Sequence, residues 1–383
     1  MDEPLPHSAS TPSVASLGKP NAAPAKLGRI LSVDALRGFD MLWILGLSEA
    51  VRQILQALFP NAGWVEVFVG QLKHVPWSGF AFYDLIFPLF LFLSGLSMAI
   101  ALPRRLEREG RRSTQLHLLE RALVLFLLGV FYNGGIANGW EKIRWMGVLQ
   151  RIGIASVVAG FLSLRLSTQA LLWTAAGLLV AYSIPFYLVP VPGTGATGFE
   201  LKSNLANYLD SVLLPGRLNE KTWDPEGLLS TLPAIASAVL GLLAGRWLLS
   251  GAVPARIVGG LMGAGVAAIL VGTALHPVLP VIKKIWTPSF VFVTSGCSAV
   301  LLGLFYWMID VRGWRVWSQP FLWIGANPIA FYLLFNLQLF HRVGDRLFSK
   351  AVQPQPWVAP TVTVLVVLWL GRWLYRNQIF FRI

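Results

Sequence analysis

A histidine and an aspartate stand close together where a loop leads into a strongly apolar stretch. His74 lies in the run from Lys73 to Pro88, and Asp84 follows it by ten residues. Near neutral pH a histidine can act as a base, an acid or a nucleophile. Asp84 falls inside an apolar helix, where a lone carboxylate is costly, so it requires a partner such as a folded-back His74 or a nearby cation. Because a single loop histidine is more often simply solvated, a catalytic pair is one of two interpretations.

The first apolar segment carries two pairs of opposite charges. Asp34 and Arg37 stand three residues apart, as do Glu49 and Arg52, so each pair can lie side by side on one helical turn. Both can be local ion pairs whose side chains extend to the two membrane surfaces. Alternatively, Asp34 and Arg37 contact the charged part of a cytoplasmic ligand, and Glu49 lies over a cavity at the other end of the helix.

Two further polar side chains stand at the start of apolar segments. Arg151, after Gln150, can line a cavity or bond to a neighbouring helix. Asn327, before Pro328, can contact a ligand or cap the helix that begins there. Cys297 is the single cysteine and is interpreted as a packing residue. The sequence has no metal-binding cluster, nucleophile elbow, phosphate loop or dinucleotide fingerprint, so we expect no metal.

The elements that carry these residues are apolar enough to be membrane helices. Of the 383 residues, 55% are hydrophobic and 13% are charged, whereas soluble domains carry about 25% charged residues. A bilayer core about 30 Å thick requires about 20 apolar residues per helix, so the sequence predicts an all-α polytopic bundle with about ten transmembrane helices. They centre on residues 39–58, 80–102, 119–134, 146–163, 168–190, 228–249, 256–275, 288–310, 319–340 and 358–377.

Charge placement predicts the orientation of this bundle. Five arginines lie between Arg104 and Arg112, in the link after the second predicted helix, and such residues collect in cytoplasmic loops. With this link inside, ten spans place both termini in the cytoplasm. The net charge of +13 is then mainly an orientation signal, so membrane lipid is an expected partner and nucleic acid is not.

The chain divides into a short tail and one membrane domain. Residues 1–30 are rich in Pro, Ala and Ser and predict a disordered cytoplasmic tail. Residues 31–383 are expected to form a single transmembrane domain, in which residues 191–227 are a long non-cytoplasmic loop. Loops of this length are usually functional or disordered.

Two glycine pairs have the spacing of close helix packing. They are Gly241 with Gly245 and Gly259 with Gly263, four residues apart in each case. Small residues at this spacing let two membrane helices approach closely, so we interpret both pairs as packing sites.

Several ordered motifs resemble those of a known family. They are Ser32-Val33-Asp34-Ala35-Leu36-Arg37-Gly38, Lys73-His74 with Trp77 and Gly79, Asp84-Leu85 with Phe87-Pro88 and Gly95, Gly147-Val148-Leu149-Gln150-Arg151, Asp224-Pro225-Glu226-Gly227, Trp286-Thr287 with Ser289, and Gly325 with Asn327. In this order, over about residues 30–380, the chain resembles the heparan-alpha-glucosaminide N-acetyltransferase family of transmembrane acyltransferases.

The resemblance implies an acetyl-CoA-dependent enzyme that delivers acetyl to the amine of a terminal, glucosamine-like amino sugar on the far side of the membrane. The family's catalytic histidine corresponds to His74, and its following carboxylate to Asp84. The remaining assignments are Glu49 beside the histidine, Arg37, Asp34, Arg151 and Asn327 toward acetyl-CoA, and Trp77, Asp224 and Trp286 toward the acceptor. One departure concerns an asparagine of the family's active site, which corresponds here to Ser48.

The resemblance also bears on location and assembly. It indicates a multi-pass protein of the bacterial inner membrane, without the lumenal region of the lysosomal enzyme, and a homodimer. Two mechanisms stay open, because His74 can take the proton of the attacking amine or carry the acetyl group itself. The alternative function is a non-enzymatic transporter or flippase of an amphipathic solute, with the intramembrane charges as its pathway.

Overall fold

The regular elements of the chain are helices wherever the structure describes it. The computed structural model describes residues 30–135, 139–336 and 355–381, so the predicted tail of residues 1–30 lies almost wholly outside the described residues. Within those ranges two isolated bridges occur and no strand. The prediction of an all-α protein is confirmed.

Thirteen α-helices make up the described part. They are α1 (Leu31–Leu42), α2 (Ser48–Leu58), α3 (Gly63–Gln71), α4 (Ile86–Tyr132), α5 (Val148–Ser163), α6 (Thr168–Leu188), α7 (Leu205–Leu213), α8 (Thr231–Leu248), α9 (Pro254–Ala274), α10 (Pro288–Phe305), α11 (Gln319–Gly325), α12 (Pro328–Asn336) and α13 (Val358–Arg376). A π-helical segment, Trp43–Leu47, joins α1 to α2, and another, Tyr306–Val311, extends α10. A 3₁₀ turn, Phe82–Leu85, leads into α4.

Six helical segments among the described residues are long and apolar enough to cross a membrane. They are Phe82–Tyr132, Thr168–Leu188, Thr231–Leu248, Pro254–Ala274, Pro288–Val311 and Val358–Arg376. The other predicted spans coincide with shorter or interrupted helices. One of these is divided between α11 and α12, because Pro328 cannot continue the hydrogen-bond ladder of a helix. The count of ten spans stays a prediction.

The second and third predicted spans form a helical hairpin within α4. Gly110 interrupts the helix with φ 75° and ψ 175°, a conformation that favours glycine. On either side of it, Met98 and Leu118 both approach the backbone at Gly160 of α5, so the two halves of α4 lie side by side. The arginine-rich link is therefore the helical tip of a hairpin rather than a loop.

Glycines let α4 and α8 cross in contact. A Cβ atom on Gly95 would lie 1.8 Å from the Ala238 carbonyl oxygen, and one on Gly241 would lie 1.9 Å from the Phe92 carbonyl oxygen. The interpretation of Gly241 as a packing site is confirmed. For Gly259 and Gly263 it is not supported within the described part of the chain, where an added Cβ atom meets nothing within 4 Å at either position.

Gly95→Ala should destabilise the folded protein. The new methyl group would overlap the backbone of α8, and overpacking of this kind costs about 1–3 kcal/mol or more. Gly263→Ala is the matched control, because its position is open and alanine favours a helix over glycine. The measurement is the free energy of unfolding in detergent. Equal stability of the two variants would contradict the observed helix contact.

Aromatic side chains pack residues 191–227, called the outer loop after their predicted side of the membrane, against the helices. Phe199 and Trp223, from residues 191–227, are buried with Tyr182 and Phe186 of α6. The loop also contains α7, whose Asn204 cap accepts the backbone N–H of Asn207 at 3.0 Å. This segment is therefore an ordered cover in the structure, and it brings the Asp224–Gly227 motif onto the helices.

Candidate active site

The segment that carries His74, residues 72–81, is a short hairpin between α3 and α4, distinct from the hairpin within α4. It contacts the link between α9 and α10, which is distant in the sequence. After α3 the chain reverses between Leu72 and Ala81 before entering α4. The Gly79 N–H donates to the Val281 carbonyl at 2.8 Å, and Ser78 forms an antiparallel bridge with Ile282. Residues 275–287 connect α9 to α10, so this contact fixes the hairpin against the start of α10.

The hairpin reaches well down the first helix. Phe82 packs edge-on against Phe39 and Trp43, with ring centroids 6.5 and 5.0 Å apart. At about 1.5 Å per helical residue, these two positions lie about 12 and 18 Å from Leu31 along the helix axis. Asp84, two residues after Phe82, is therefore held near the middle of the α1–α2 path.

His74 and Asp84 form a hydrogen-bonded pair. The His74 Nδ1 atom lies 2.8 Å from Asp84 Oδ1. The Asp84 side chain is 1% exposed, and its Oδ2 atom accepts the backbone N–H groups of Val75 at 3.3 Å and Ala81 at 3.2 Å. Both predicted kinds of partner are present, since the folded-back histidine bonds to Asp84 and a cation, Lys283, lies 3.4 Å from its Oδ1 atom.

The imidazole is oriented but open. Its ring packs against Tyr83 with centroids 4.7 Å apart, while 52% of the His74 side chain remains exposed. With Nδ1 directed at a buried carboxylate, Nε2 is the ring nitrogen available to a reacting group. A histidine oriented by a carboxylate in this way is a general-base arrangement.

A lysine not predicted from the sequence completes the cluster. The Lys283 Nζ atom lies 2.8 Å from Nδ1 and 3.3 Å from Nε2 of His74, and 3.4 Å from Asp84 Oδ1. Lys283 is separated from His74 by 209 residues. The only signal in the sequence is its position shortly before the Trp286-Thr287 motif.

His74 and Lys283 line a cavity between the helices, and the buried Asp84 contacts both of them. Its lining residues are Ile44, His74, Tyr83, Ile86, Phe87, Phe90, Val148, Leu149, Ile152, Glu226, Lys283, Ile329 and Tyr332. The wall is mostly apolar, with a few polar groups at one place, as is typical of small-molecule sites. Glu226 and Tyr332 are further site residues that sequence reasoning missed, although Glu226 stands in the quoted Asp224–Gly227 motif.

Asp224 supports the cavity without lining it. Its carboxylate accepts two bonds from Arg144, at 2.8 Å from Nε and 2.7 Å from Nη2, and its side chain is 1% exposed. The Arg144 Nη2 atom also lies 2.5 Å from Glu226 Oε2. Burial raises the pKa of Glu226, and the positive charges of Arg151 and Arg144 oppose this rise. Of the two carboxylates in this motif Glu226 lines the cavity and Asp224 does not, so these contacts do not favour the role of Asp224 toward the acceptor, which stays a prediction.

Arg151 and Trp286 also lie outside the lining of the cavity and support it through packing and hydrogen bonds. Arg151 is fully buried, and its Nη2 atom donates to the Pro225 carbonyl at 2.9 Å and to the Ser230 hydroxyl. Trp286 packs on the Arg151 guanidinium and donates from Nε1 to Ser237 Oγ at 3.1 Å. Neither side chain lines the cavity, so their contacts are structural and do not favour the roles expected toward acetyl-CoA and the acceptor.

Asn327 joins the last described residues to the bundle. Its side-chain amide donates to the Ile379 carbonyl at 2.9 Å and accepts the Phe381 N–H at 2.7 Å. The Asn327 side chain does not act as the expected helix cap, because its amide nitrogen and its amide oxygen both bond to the C-terminal segment. A role of Asn327 toward acetyl-CoA is not favoured by these contacts.

Trp77 packs between the hairpin and the outer loop. Its Nε1 atom donates to the Phe199 carbonyl at 3.0 Å, and its ring lies edge-on to Trp223 with centroids 5.9 Å apart. It does not line the cavity, and its role toward the acceptor stays a prediction.

The paired charges of the first helix form as expected. The Arg37 Nη1 atom lies 3.2 Å from Asp34 Oδ1, and Nη2 donates to Ser97 on α4. Glu49 pairs with Arg52 at 3.1 Å and accepts from Gln53 at 2.8 Å. Glu49 bonds to residues of its own helix and does not line the cavity. Of the two carboxylates expected beside His74, Asp84 and Glu49, it is Asp84 that bonds to the imidazole.

Ser48, at the position of the family asparagine, is turned toward its own helix. Its hydroxyl donates to the Trp43 carbonyl at 3.3 Å, across the π-helical segment. The residue is buried, and it is not among the residues that line the cavity. A direct contact of Ser48 with a reacting group is therefore not part of this arrangement.

Asp210 holds the outer loop and should make stability depend on pH. Burial raises its pKa from 3.8 to about 6, while the Leu228 N–H, at 2.9 Å, opposes the rise. A raised pKa means that the folded state binds the proton more tightly, so stability is greatest below the unfolded pKa. It is lost as pH rises through about 6, by about 3 kcal/mol in total.

The test compares the wild type with Asp210→Asn. Unfolding in detergent should show the wild type losing about 3 kcal/mol relative to the variant between about pH 4 and pH 7. The asparagine keeps an acceptor for the Leu228 N–H and carries no charge. Parallel pH profiles of the two proteins would contradict the assignment.

The fold and the site define the class of this protein. It is a helical membrane protein with a histidine–carboxylate pair at a cavity between its helices. Residues 29–274 match the family described as heparan-alpha-glucosaminide N-acetyltransferase, catalytic, and the chain belongs to this family. The matched segment contains His74, Asp84 and Glu226, and it ends shortly before Lys283.

Two relatives have the same family name. The heparan-alpha-glucosaminide N-acetyltransferase of Homo sapiens is 28% identical over an alignment that is 423 positions long, gaps included, and that covers 93% of this chain and 60% of the human protein. The protein of the same name from Mus musculus is 26% identical over an alignment of 430 positions that covers 95% of this chain and 62% of the mouse protein. The chain thus spans about 60% of the length of the curated relatives it matches.

Proposed function

We propose that this protein transfers acetyl from acetyl-CoA, bound from the cytoplasm, to the amine of an amino sugar on the other side of the membrane. The observation that carries the proposal is the His74–Asp84 pair, bonded at 2.8 Å, whose imidazole lines a cavity between the helices. The names of the human and mouse relatives, which state N-acetyl transfer to a glucosaminide, support the reaction class.

The pair supplies the proton transfer that the reaction requires. Nδ1–H of His74 donates to Asp84, which leaves Nε2 as the base. Nε2 takes a proton from the amine as its nitrogen attacks the thioester carbonyl, and Asp84 stabilises the imidazolium that forms. The new C–N bond forms, the C–S bond breaks, and the thiolate of CoA leaves and takes up the proton. The products are an amide and free CoA.

His74 as an acetyl carrier is the competing mechanism. In that case Nε2 attacks the thioester first, CoA leaves, and the amine then displaces acetyl from the imidazole. Both mechanisms use the same residue and differ in whether acetylated protein forms without the acceptor.

The depth of the hairpin supports transfer across the membrane. If Leu31 lies at one edge of a core about 30 Å thick, the contact of Phe82 with Phe39 and Trp43 supports a position of the pair near mid-depth, about 12–18 Å from that edge. Acetyl-CoA then has to carry its thioester only part of the way. Arg37 and the arginine-rich tip of α4, both proposed to be cytoplasmic, are suitable for its phosphates.

The open side of the cavity is suitable for an amino sugar. His74 is half exposed there, and the Glu226 carboxylate can attract an ammonium group into the cavity. Trp77, partly exposed and three residues after His74, offers an aromatic ring to a sugar. The finer topology belongs to the same proposal: ten spans in a single domain, with both termini in the cytoplasm.

The test is CoA release by the purified protein in detergent. We expect thiol release that requires both acetyl-CoA and an amino sugar from a panel of free hexosamines. Incubation with radiolabelled acetyl-CoA alone separates the two mechanisms, since only the carrier mechanism labels the protein. Absence of CoA release with every acceptor, together with solute uptake into proteoliposomes without acetyl-CoA, would overturn the proposal in favour of a transporter.

A further inference from the structure

The link between α9 and α10 holds Lys283 in a defined place. The Thr287 hydroxyl accepts the Ile282 N–H at 3.0 Å and donates to the Pro280 carbonyl at 2.7 Å. The Ser289 hydroxyl donates to the same carbonyl at 3.0 Å. Because the hairpin is bonded to this link, the Lys283 side chain and the imidazole are held in one rigid unit.

Lys283 and Asp84 compete for one nitrogen of the imidazole. Nδ1 of His74 lies 2.8 Å from both Asp84 Oδ1 and Lys283 Nζ. If Nδ1 carries its proton, it donates to Asp84, and the ammonium cannot donate to it. If Nδ1 is bare, it accepts from Lys283, and the proton on Nε2 prevents that atom from acting as a base. In the base-competent tautomer Nδ1 no longer accepts from Lys283. The ammonium then lies 3.4 Å from Asp84 Oδ1 and 3.3 Å from Nε2, on the side of the ring where the reacting groups bind.

Lys283 is the source of positive charge at the reacting centre. Among the cavity-lining residues of the described chain, it is the one lysine or arginine. Its side chain is 20% exposed, and the Nζ atom lies 3.3 Å from Nε2. An amine bound to Nε2 places the attacked carbonyl within a few ångströms of that atom, so the same ammonium can reach the carbonyl oxygen.

We propose that Lys283 is a third catalytic residue, whose ammonium donates to the thioester carbonyl oxygen of acetyl-CoA and stabilises the negative charge that develops there. The assignment rests on the proposed acetyl transfer. As the amine nitrogen bonds to the carbonyl carbon, the C=O electron pair moves to oxygen, beside the ammonium. It returns when the C–S bond breaks, and no proton leaves Lys283 in the cycle. Preorganised donors of this kind act strongly in a site with little water.

Lys283→Gln and Lys283→Arg test the role of the charge. We expect kcat of Lys283→Gln to fall roughly 10²–10³-fold, the loss typical of one oxyanion donor, with the KM for the amine changed by no more than about threefold. Lys283→Arg should retain much more activity than Lys283→Gln. Lys284→Gln is the matched control, because Lys284 pairs with Glu220 at 2.9 Å, away from the cavity.

A pH profile separates this role from a structural one. The groups that face Lys283 are His74 and Asp84 at contact distance, with Glu226 and Lys284 farther away. Burial lowers the pKa of Lys283, and Asp84 opposes this shift. Activity should therefore decline on the alkaline side as the ammonium is lost. In Lys283→Arg the decline should move to higher pH, because the guanidinium stays charged.

Two results would overturn the assignment and leave the proposed function intact. One is wild-type kcat in Lys283→Gln. The other is equal impairment of the Gln and Arg variants with an unchanged alkaline limb, which indicates a structural role. A wild-type protein that releases no CoA with any amine would overturn the proposed function and this assignment with it.

Discussion

His74→Gln should abolish most acetyl transfer while the protein still folds. Loss of a general base lowers rates by roughly 10²–10⁴-fold, and loss of an acetyl carrier removes the reaction through that residue altogether. The expected rate is therefore at least about a hundredfold below the wild type. The measurement is CoA release with a saturating amino sugar, together with the melting temperature of each protein in detergent.

The remaining contacts explain why folding should survive this change. Asp84 keeps the N–H donors of Val75 and Ala81 and its contact with Lys283 at 3.4 Å. The hairpin also keeps the bond from Gly79 to Val281. His117→Gln, in the second half of α4, is the control and should retain wild-type activity. A His74→Gln protein with more than about a tenth of the wild-type rate would exclude both mechanisms.

Arg144→Gln should have the largest effect on stability. Arg144 is the shared partner of two carboxylates, Asp224 and Glu226, whose side chains are 1% and 13% exposed. Removing one member of a buried ion pair leaves an uncompensated charge and costs about 3–5 kcal/mol. Because Glu226 lines the cavity, we also expect the variant to lose activity beyond its loss of stability.

A second substitution can separate charge from packing. In an Asp224→Asn background one of the two carboxylates that would lose its partner is already neutral. Arg144→Gln should therefore lower the free energy of unfolding clearly less than it does in the wild type. Lys142→Gln, two residues away and exposed, is the control and should lie within about 0.5 kcal/mol of the wild type. The free energy of unfolding in detergent is the measurement. A cost below about 1 kcal/mol for Arg144→Gln would contradict the role of Arg144 as the shared partner.

The His74–Asp84 pair could be predicted from the sequence because its physical requirement is local. Asp84 follows a turn and enters an apolar helix, where it must have a partner, and His74 stands only ten residues before it. The hairpin that joins them is short, so few other partners could reach the carboxylate. The helices were accessible for the same reason, since each is defined by its own apolar run.

The residues that line the cavity could not be predicted from the sequence in this way. Asp224 and Glu226 are two residues apart in one motif, and which of them lines the cavity depends on Arg144, 80 residues earlier. Arg151 and Asn327 are polar residues at helix starts, and both proved to bond to backbone carbonyls of distant segments. Nothing in their immediate sequence distinguishes a buried structural contact from a ligand contact.

By itself the sequence determined that the chain is helical and membrane-embedded, that it resembles an acyltransferase family, and that His74 and Asp84 belong together. These properties depend on composition, on runs of apolar residues and on neighbours within one short hairpin. Only the tertiary structure decided that Lys283 and Glu226 join the pair. Their positions follow from the contact of the hairpin with the link before α10 and from the packing of the outer loop, and contacts between segments so far apart leave no periodic signal in the chain.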